Sequence, residues 1–182
     1  RADILSEAQA RGSQVHEAID RLIREPGTAT IRRETKIYDR ATGTETELSN
    51  RGWDNLLAFS RFWTLHEPIV FAAEKALYSL EDRYAGTTDA ILKLTKACDV
   101  KSCPCAPLVG LVGIWDWKTG AKPYPNHLSQ VAAYAHAENL PVVRTEVDAE
   151  GNEIVLRLKV EYGAVLALGS KAVLTGGYCL ET

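Results

Sequence analysis

Leu108-Val109-Gly110-Leu111-Val112-Gly113-Ile114-Trp115-Asp116-Trp117-Lys118-Thr119-Gly120 is the stretch whose reading decides the fold. From Leu108 to Trp117 it is apolar apart from Asp116, broken only by Gly110 and Gly113. A strand that is apolar on both sides belongs in the middle of a covered sheet. Its end is charged. Residues two apart on a strand point to one side, so Asp116 and Lys118 project together, with the Trp117 carbonyl between them. A carboxylate binds a hard cation such as magnesium through oxygen. A neighbouring ammonium orients an attacking water or offsets charge developing on a phosphate. Asp-x-Lys pairs also arise by chance on surfaces; here the pair follows a buried strand, where charge needs a reason.

Upstream, Tyr84 to about Leu94 reads as the preceding strand and carries Asp89 after Gly86-Thr87-Thr88. Adjacent strands lie about 4.8 Å apart, so carboxylates on neighbours can share a cation. The competing reading of Asp89 is a turn-flanking residue bonded to Thr87 or Thr88. Ile69 to Leu80 is a further strand, joined by the turn Glu81-Asp82-Arg83 to form a hairpin. Its even positions, Val70, Ala72, Ala76, Tyr78 and Leu80, form an apolar face on which Glu74 is the one charge. A buried carboxylate requires a cation or a donor, which Lys93 or Arg83 across the hairpin could also supply.

Before the strands, Ile4, Ala8, Val15, Ile19, Leu22 and Ile23 recur at helical spacing from Asp3 to about Arg24, ended by Glu25-Pro26-Gly27. His16 lies on that stripe, either as a satisfied core residue or as a ligand. Gly12 one turn earlier suggests close packing, since an interior helical Gly costs about 1 kcal/mol against Ala. Residues 28–50 read as a loop or short hairpin. A second helix spans about Trp53 to Leu65, buried through Leu56, Leu57, Phe59, Phe62 and Trp63, and closed by Pro68. After the central strand, Asn126 can cap a helix running to about Glu138. His127, Gln130 and Tyr134 make its polar stripe, facing solvent or a cleft. Strands at about Val142–Val147, Ile154–Val160 and twice within Gly163–Leu180 complete one α/β domain over residues 1–182, a central mixed sheet flanked by helices.

The formal net charge of −3 gives no global attraction to nucleic acid. Arg21, Arg24, Arg32, Arg33, Lys36 and Arg40 do form a locally basic arm, which reads as solvated surface or as a phosphate contact. No apolar run is long enough to cross a bilayer and no leader-like segment opens the chain, so no membrane association and a cytoplasmic location are expected. Cys98, Cys103 and Cys105 cluster, while Cys179 stands apart. Three thiols could supply part of a zinc or iron–sulfur site, but neither zinc-ligand pair spacing nor an obvious fourth ligand is visible. Incidental or disulfide-capable thiols on a loop broken by Pro104 and Pro107 are the expectation.

Taken in order, Gly12-Ser13-Gln14-Val15-His16, Glu74, Tyr84-Ala85-Gly86-Thr87-Thr88-Asp89-Ala90-Ile91, Ile114-Trp115-Asp116-Trp117-Lys118-Thr119-Gly120 and Gln130-Val131-Ala132-Ala133-Tyr134 resemble the RecB-like and phage exonuclease branch of the PD-(D/E)XK nuclease superfamily. The likeness covers residues 12–134. It implies a restriction-endonuclease-like core and a magnesium- or manganese-dependent DNA nuclease, an exonuclease of phage or bacterial recombination and repair, hydrolysing phosphodiesters with metal-activated water. By the same resemblance His16, Asp89, Asp116 and the Trp117 carbonyl would bind the metal. Lys118 would be the catalytic lysine, Glu74 an accessory acid, and Gln130 and Tyr134 would line the site. DNA, as a single strand or a duplex end, is the implied partner, with recombination or replication proteins beside it. Relatives with an iron–sulfur cluster place one Cys ahead of the core and three near the C-terminus. This chain departs from that order, so no such cluster is expected. Two other readings are a catalytically inactive DNA-binding module on the same fold and a zinc-stabilised interaction domain built on the cysteine loop.

Overall fold

A computed structural model describes residues 2–25, 30–40, 42–100, 103–120, 122–140, 142–147, 149–169 and 172–179, with backbone alone at 2–5, 144 and 172–179. The expected stop at Pro26-Gly27 and the side chains of Ile4 and Cys179 lie outside the described parts. Helix α1 (Ala2–Arg24) leads into the hairpin β1 (Lys36–Asp39) and β2 (Thr44–Glu47). Helix α2 (Asn50–His66) starts where the Ser49 side chain accepts the Gly52 N–H, a cap worth about 1 kcal/mol. It ends at Glu67, whose left-handed φ of 44° turns the chain into the sheet. The helix is longer at both ends than its apolar stripe suggests, and Leu57, expected inside, is exposed.

The main sheet contains β3 (Ile69–Ser79), β4 (Tyr84–Lys93), β5 (Val112–Lys118), β8 (Tyr162–Leu168) and β9 (Ala172–Cys179), in the order β3-β4-β5-β8-β9. All neighbours are antiparallel except β5 and β8, so the sheet is mixed. The parallel pair follows from the connection. After β5 the chain crosses through α3 (Pro125–Ala135) and a separate hairpin, β6 (Val142–Val147) with β7 (Glu153–Leu158), before re-entering the sheet at β8. Strands β6 and β7 therefore pair with each other and lie outside the main sheet.

Strand β5 is buried from Val112 to Trp117, as its sequence requires of a central strand. It is shorter than expected, because Leu108 closes a 3-10 turn (Ala106–Leu108) built around Pro107, in a loop expected to hold no regular structure. On one face of the sheet, Ala90, Leu92, Trp115, Trp117 and Leu166 pack against α1 and α2 through Val15, Ile19, Phe59 and Phe62. On the other, Ile91, Ile114 and Val165 pack against α3 through Val131 and Tyr134. A Cβ on Gly163 would stand 2.3 Å from the Val131 side chain, so glycine is what lets α3 lie this close to β8. Helix α3 begins one residue before Asn126 and ends at Ala135. Pro125 occupies its first turn, so the expected Asn126 cap and the extent to Glu138 are both corrected.

Strand β3 does not keep one parity. The register slips between Val70 and Ala72, and Glu74 has a φ of 49°, left-handed and costly for a residue with a Cβ. Ala73 packs on the α1–α2 side, but Leu77, four residues on, packs on the α3 side. A regular strand would hold both on one face. The expected apolar even face therefore fails beyond Glu74: Leu77 and Ser79 are buried, while Ala76, Tyr78 and Leu80 are exposed.

Candidate active site

The β4–β5 ladder runs from Lys93 opposite Val112 to Ala90 opposite Trp115 and stops there. Beyond that rung, side chains replace the missing backbone bonds. The Thr88 hydroxyl donates to the Trp115 carbonyl at 2.9 Å, and the Trp117 N–H donates to Asp89 Oδ2. The two strands part where both carry an Asp. In an extended strand the N–H and C=O of one residue face one edge. The Trp117 carbonyl therefore faces the same gap as its N–H, while its indole is buried in the core.

Asp89 is buried and held at both oxygens: Oδ1 meets His16 Nδ1 at 2.9 Å, and Oδ2 accepts from Trp117. The turn-flanking reading of Asp89 is corrected, because its partners come from α1 and β5. Glu74 stands opposite Asp89 in the register flanked by the Ala73–Ala90 and Lys75–Thr88 pairs, and its left-handed backbone breaks that rung. The result is a cluster in which one ligand atom each from His16, Glu74 and Asp89 lies within 4.8 Å of the others. Glu74 pairs with Arg40 at 3.3 Å rather than with Lys93 or Arg83, and Arg40 also holds Glu17 at 2.9 Å. Sequence reasoning missed Arg40 and Glu17 as site residues. The signal was the basic arm, of which Arg40 reaches the cleft.

Asp116, 2% exposed, meets Lys118 Nζ at 2.7 Å, as their shared side of β5 requires. Lys118 Nζ also donates to Gln130 Oε1 at 3.3 Å, and Gln130 Nε2 donates to the Tyr134 hydroxyl at 2.9 Å. The polar stripe of α3 thus looks into the site through Gln130 and Tyr134. Tyr134 lies directly over Gly86, where a Cβ would come 2.2 Å from its hydroxyl. Gly12, by contrast, is not enforced: a Cβ there would stand 3.6 Å from Thr119 Oγ1, an ordinary contact.

The electrostatics join the two halves. Burial and the nearby charge of Asp89 push the Asp116 carboxyl up to about 6, while Lys118 and His16 pull it the other way. Burial and Asp89 likewise raise Glu74 above its ordinary value, against Arg40. Burial would lower His16, but Asp89 and then Asp116 outweigh it, so His16 is raised. Glu74, Asp89 and the His16 imidazole, with the buried Asp116 beside them, form a donor set of carboxylate oxygens and one imidazole. That set suits a hard divalent cation. Gly12, Ser13, His16, Glu74, Thr87 and Asp89 line a cleft of about 260 Å³, enough for a hydrated ion and one phosphate but smaller than a typical small-molecule pocket. A second cleft, lined by Arg11, Arg51, Asp54, Asn55, Thr119, Gly120 and Gly169, abuts the residues that follow Lys118. Compared with known proteins, the chain matches no family model and no curated sequence.

Proposed function

We propose that this chain is a metal-dependent DNA nuclease on a restriction-endonuclease-like core, of the RecB-like branch of the PD-(D/E)XK superfamily. The observation that carries the reading is the parting of β4 and β5. It leaves His16, Glu74 and Asp89 clustered at a cleft, with the buried Asp116–Lys118 pair close enough for Asp116 to feel the charges of Asp89 and His16. Among the described residues, no helix is long and apolar enough to cross a membrane.

His16, Asp89, Asp116 and the Trp117 carbonyl would hold one or two magnesium or manganese ions, with Glu74 beside them. When bound, such an ion activates water and stabilises the leaving oxygen of a phosphodiester. The protein's own groups do the rest. Asp89 is fixed by His16 and by the Trp117 amide, so its oxygens keep their aim. Lys118, steered by Asp116 and Gln130, presents an ammonium to the attacking water and to the charge that grows on the phosphate. Arg11 and Arg51, in the cleft beside Thr119 and Gly120, outnumber Asp54 there and suit the phosphates of an incoming strand. An exonuclease of recombination or repair, working on DNA ends, is the specific form proposed.

The test is digestion of end-labelled linear DNA and closed circular DNA with magnesium, manganese or a chelator. Metal-dependent release of nucleotides from linear DNA alone is the expected result. Nicking of the circle would make the protein an endonuclease. Binding without cleavage in either metal would overturn the catalytic assignment in favour of a DNA-binding module.

A further inference from the structure

The loop between β4 and β5 carries Cys98, Cys103 and Cys105, and the fold supplies the fourth ligand that sequence spacing hides. His66, the last residue of α2, closes on the three thiols; one ligand atom from each of the four lies within 4.8 Å of the others. We propose that His66, Cys98, Cys103 and Cys105 form a structural zinc site of the Cys3His class, separate from the acidic cleft and independent of the nuclease reading.

Several independent features fit zinc. In a tetrahedral site with Zn–S bonds of about 2.3 Å, two sulfurs stand about 3.8 Å apart. The Cys98 and Cys105 sulfurs are 3.6 Å apart, close to that edge and far beyond the roughly 2.05 Å of a disulfide. All three cysteines are free thiols. His66 is 2% exposed, and its Nδ1 lies 2.9 Å from the Lys96 carbonyl. A proton on Nδ1, donated to that carbonyl, leaves the lone pair on Nε2. That is how metal-binding imidazoles are commonly oriented. The Cys98 amide points at Cys105 Sγ at 3.5 Å, the kind of N–H to sulfur bond that supports a thiolate.

The surrounding backbone holds the group in place. The amides of Thr95 and Lys96 both donate to the His66 carbonyl, which ties the end of α2 to the chain leaving β4. The Gly110 amide donates to the Leu94 carbonyl and closes the loop at its base. Four ligands on one ion leave no open position. The site is therefore a staple, not a catalyst. An iron–sulfur cluster would spread its thiolates over several irons, whereas these converge on one point.

The test is elemental analysis of untagged protein made in zinc-supplemented medium and purified without chelators, followed by exchange of zinc for cobalt. The expected result is one zinc per chain. The cobalt form should show the intense visible bands of a tetrahedral ion and thiolate-to-metal charge transfer in the near ultraviolet. Cys98→Ser, at a partly exposed position, should lose the bound zinc. His66→Cys should keep the metal and shift the cobalt bands toward four thiolates, which a histidine that merely packs would not do. Asp89→Ala should keep full zinc content. Protein with no zinc and no tetrahedral cobalt spectrum would overturn the proposal. So would iron in place of zinc, or zinc retained by Cys98→Ser and lost from Asp89→Ala.

Discussion

The acidic cleft and the thiol cluster sit at opposite ends of the β4–β5 pair, and their chemistry diverges as their surroundings do. The cleft opens where the ladder ends at Ala90 and Trp115; the thiols gather in the loop joining the other end, past Lys93 and before Val112. One offers two carboxylates and an imidazole around accessible space, with the Arg40 guanidinium in its wall. The other offers three sulfurs and a buried imidazole closed on one point. Hard oxygen ligands with an open side suit exchangeable magnesium or manganese, whereas three soft sulfurs and an imidazole filling all four corners suit permanent zinc. One hairpin can thus carry a reaction at its open end and a staple at its closed end.

The largest expected effect breaks the cleft alone. Asp116→Ala or Lys118→Ala should lower magnesium-dependent nucleotide release by roughly 10²–10³-fold or more, because the first removes a proposed metal ligand and the second the ammonium facing the reacting phosphate. Thermal unfolding in chelator checks that both variants remain folded, with a lower Tm expected for Lys118→Ala, which leaves the buried Asp116 without its partner. Undiminished cleavage by both would remove the nuclease assignment.

The converse experiment breaks the staple. Cys98→Ser, or prolonged treatment with a strong zinc chelator, should destabilise the fold on the order of 3 kcal/mol, lowering Tm by about 6–12 °C in a chain of this size. Manganese affinity of the cleft, read by calorimetry well below the new Tm, should change little, because Asp89 and His16 hold each other without the loop. Unchanged Tm after complete removal of zinc would show that the thiols carry no structural load.

The same contrast governs how much could be read from the sequence. The central strand was legible because burial on both faces leaves a continuous apolar run, and Asp116 with Lys118 at its end followed from alternation alone. Asp89, His16, Gln130 and Tyr134 were legible as an ordered set and do converge. Glu74 reached the site by a route the sequence did not encode plainly. It was expected on a regular even face, but a left-handed residue turns the strand and brings it toward α1. His66 was invisible as a ligand, since its spacing from the cysteines becomes a distance only once α2 docks beside β4. Local periodicity predicts what a strand buries; it does not predict which distant helix end will face a loop.

A smaller effect probes the wall of the cleft. Gly86→Ala would place a methyl 2.2 Å from the Tyr134 hydroxyl and 2.8 Å from its ring, so Tyr134 must shift and release Gln130 from its present aim at Lys118. Overpacking of this kind costs about 1–3 kcal/mol. The expected kinetic signature is a fall in kcat of roughly tenfold with metal affinity preserved, as a change of about 1.4 kcal/mol at the transition state would give. Full activity in Gly86→Ala would mean that Tyr134 and Gln130 do not position Lys118.

The smallest effect lies away from both centres and serves as their control. Glu138, just past α3, accepts the Leu80 and Glu81 amides at 2.5 and 3.0 Å and the Ser79 hydroxyl at 3.2 Å, tying down the β3–β4 turn. The Glu81 amide, followed by the Leu80 amide and the Ser79 hydroxyl, holds its carboxyl below the ordinary value of 4.5. A depressed folded pKa means that the ionised form stabilises the fold. That contribution is fully present above the ordinary value and is lost as pH falls through the lowered one. Glu138→Gln keeps an acceptor oxygen but removes the charge, so parent and variant should differ modestly in Tm at pH 7 and converge as pH falls through the lowered value. A difference that stays constant across this range would assign the effect to hydrogen-bond geometry rather than charge. Neither zinc content nor nucleotide release should follow this titration, because the turn that Glu138 holds touches neither the open nor the closed end of the β4–β5 pair.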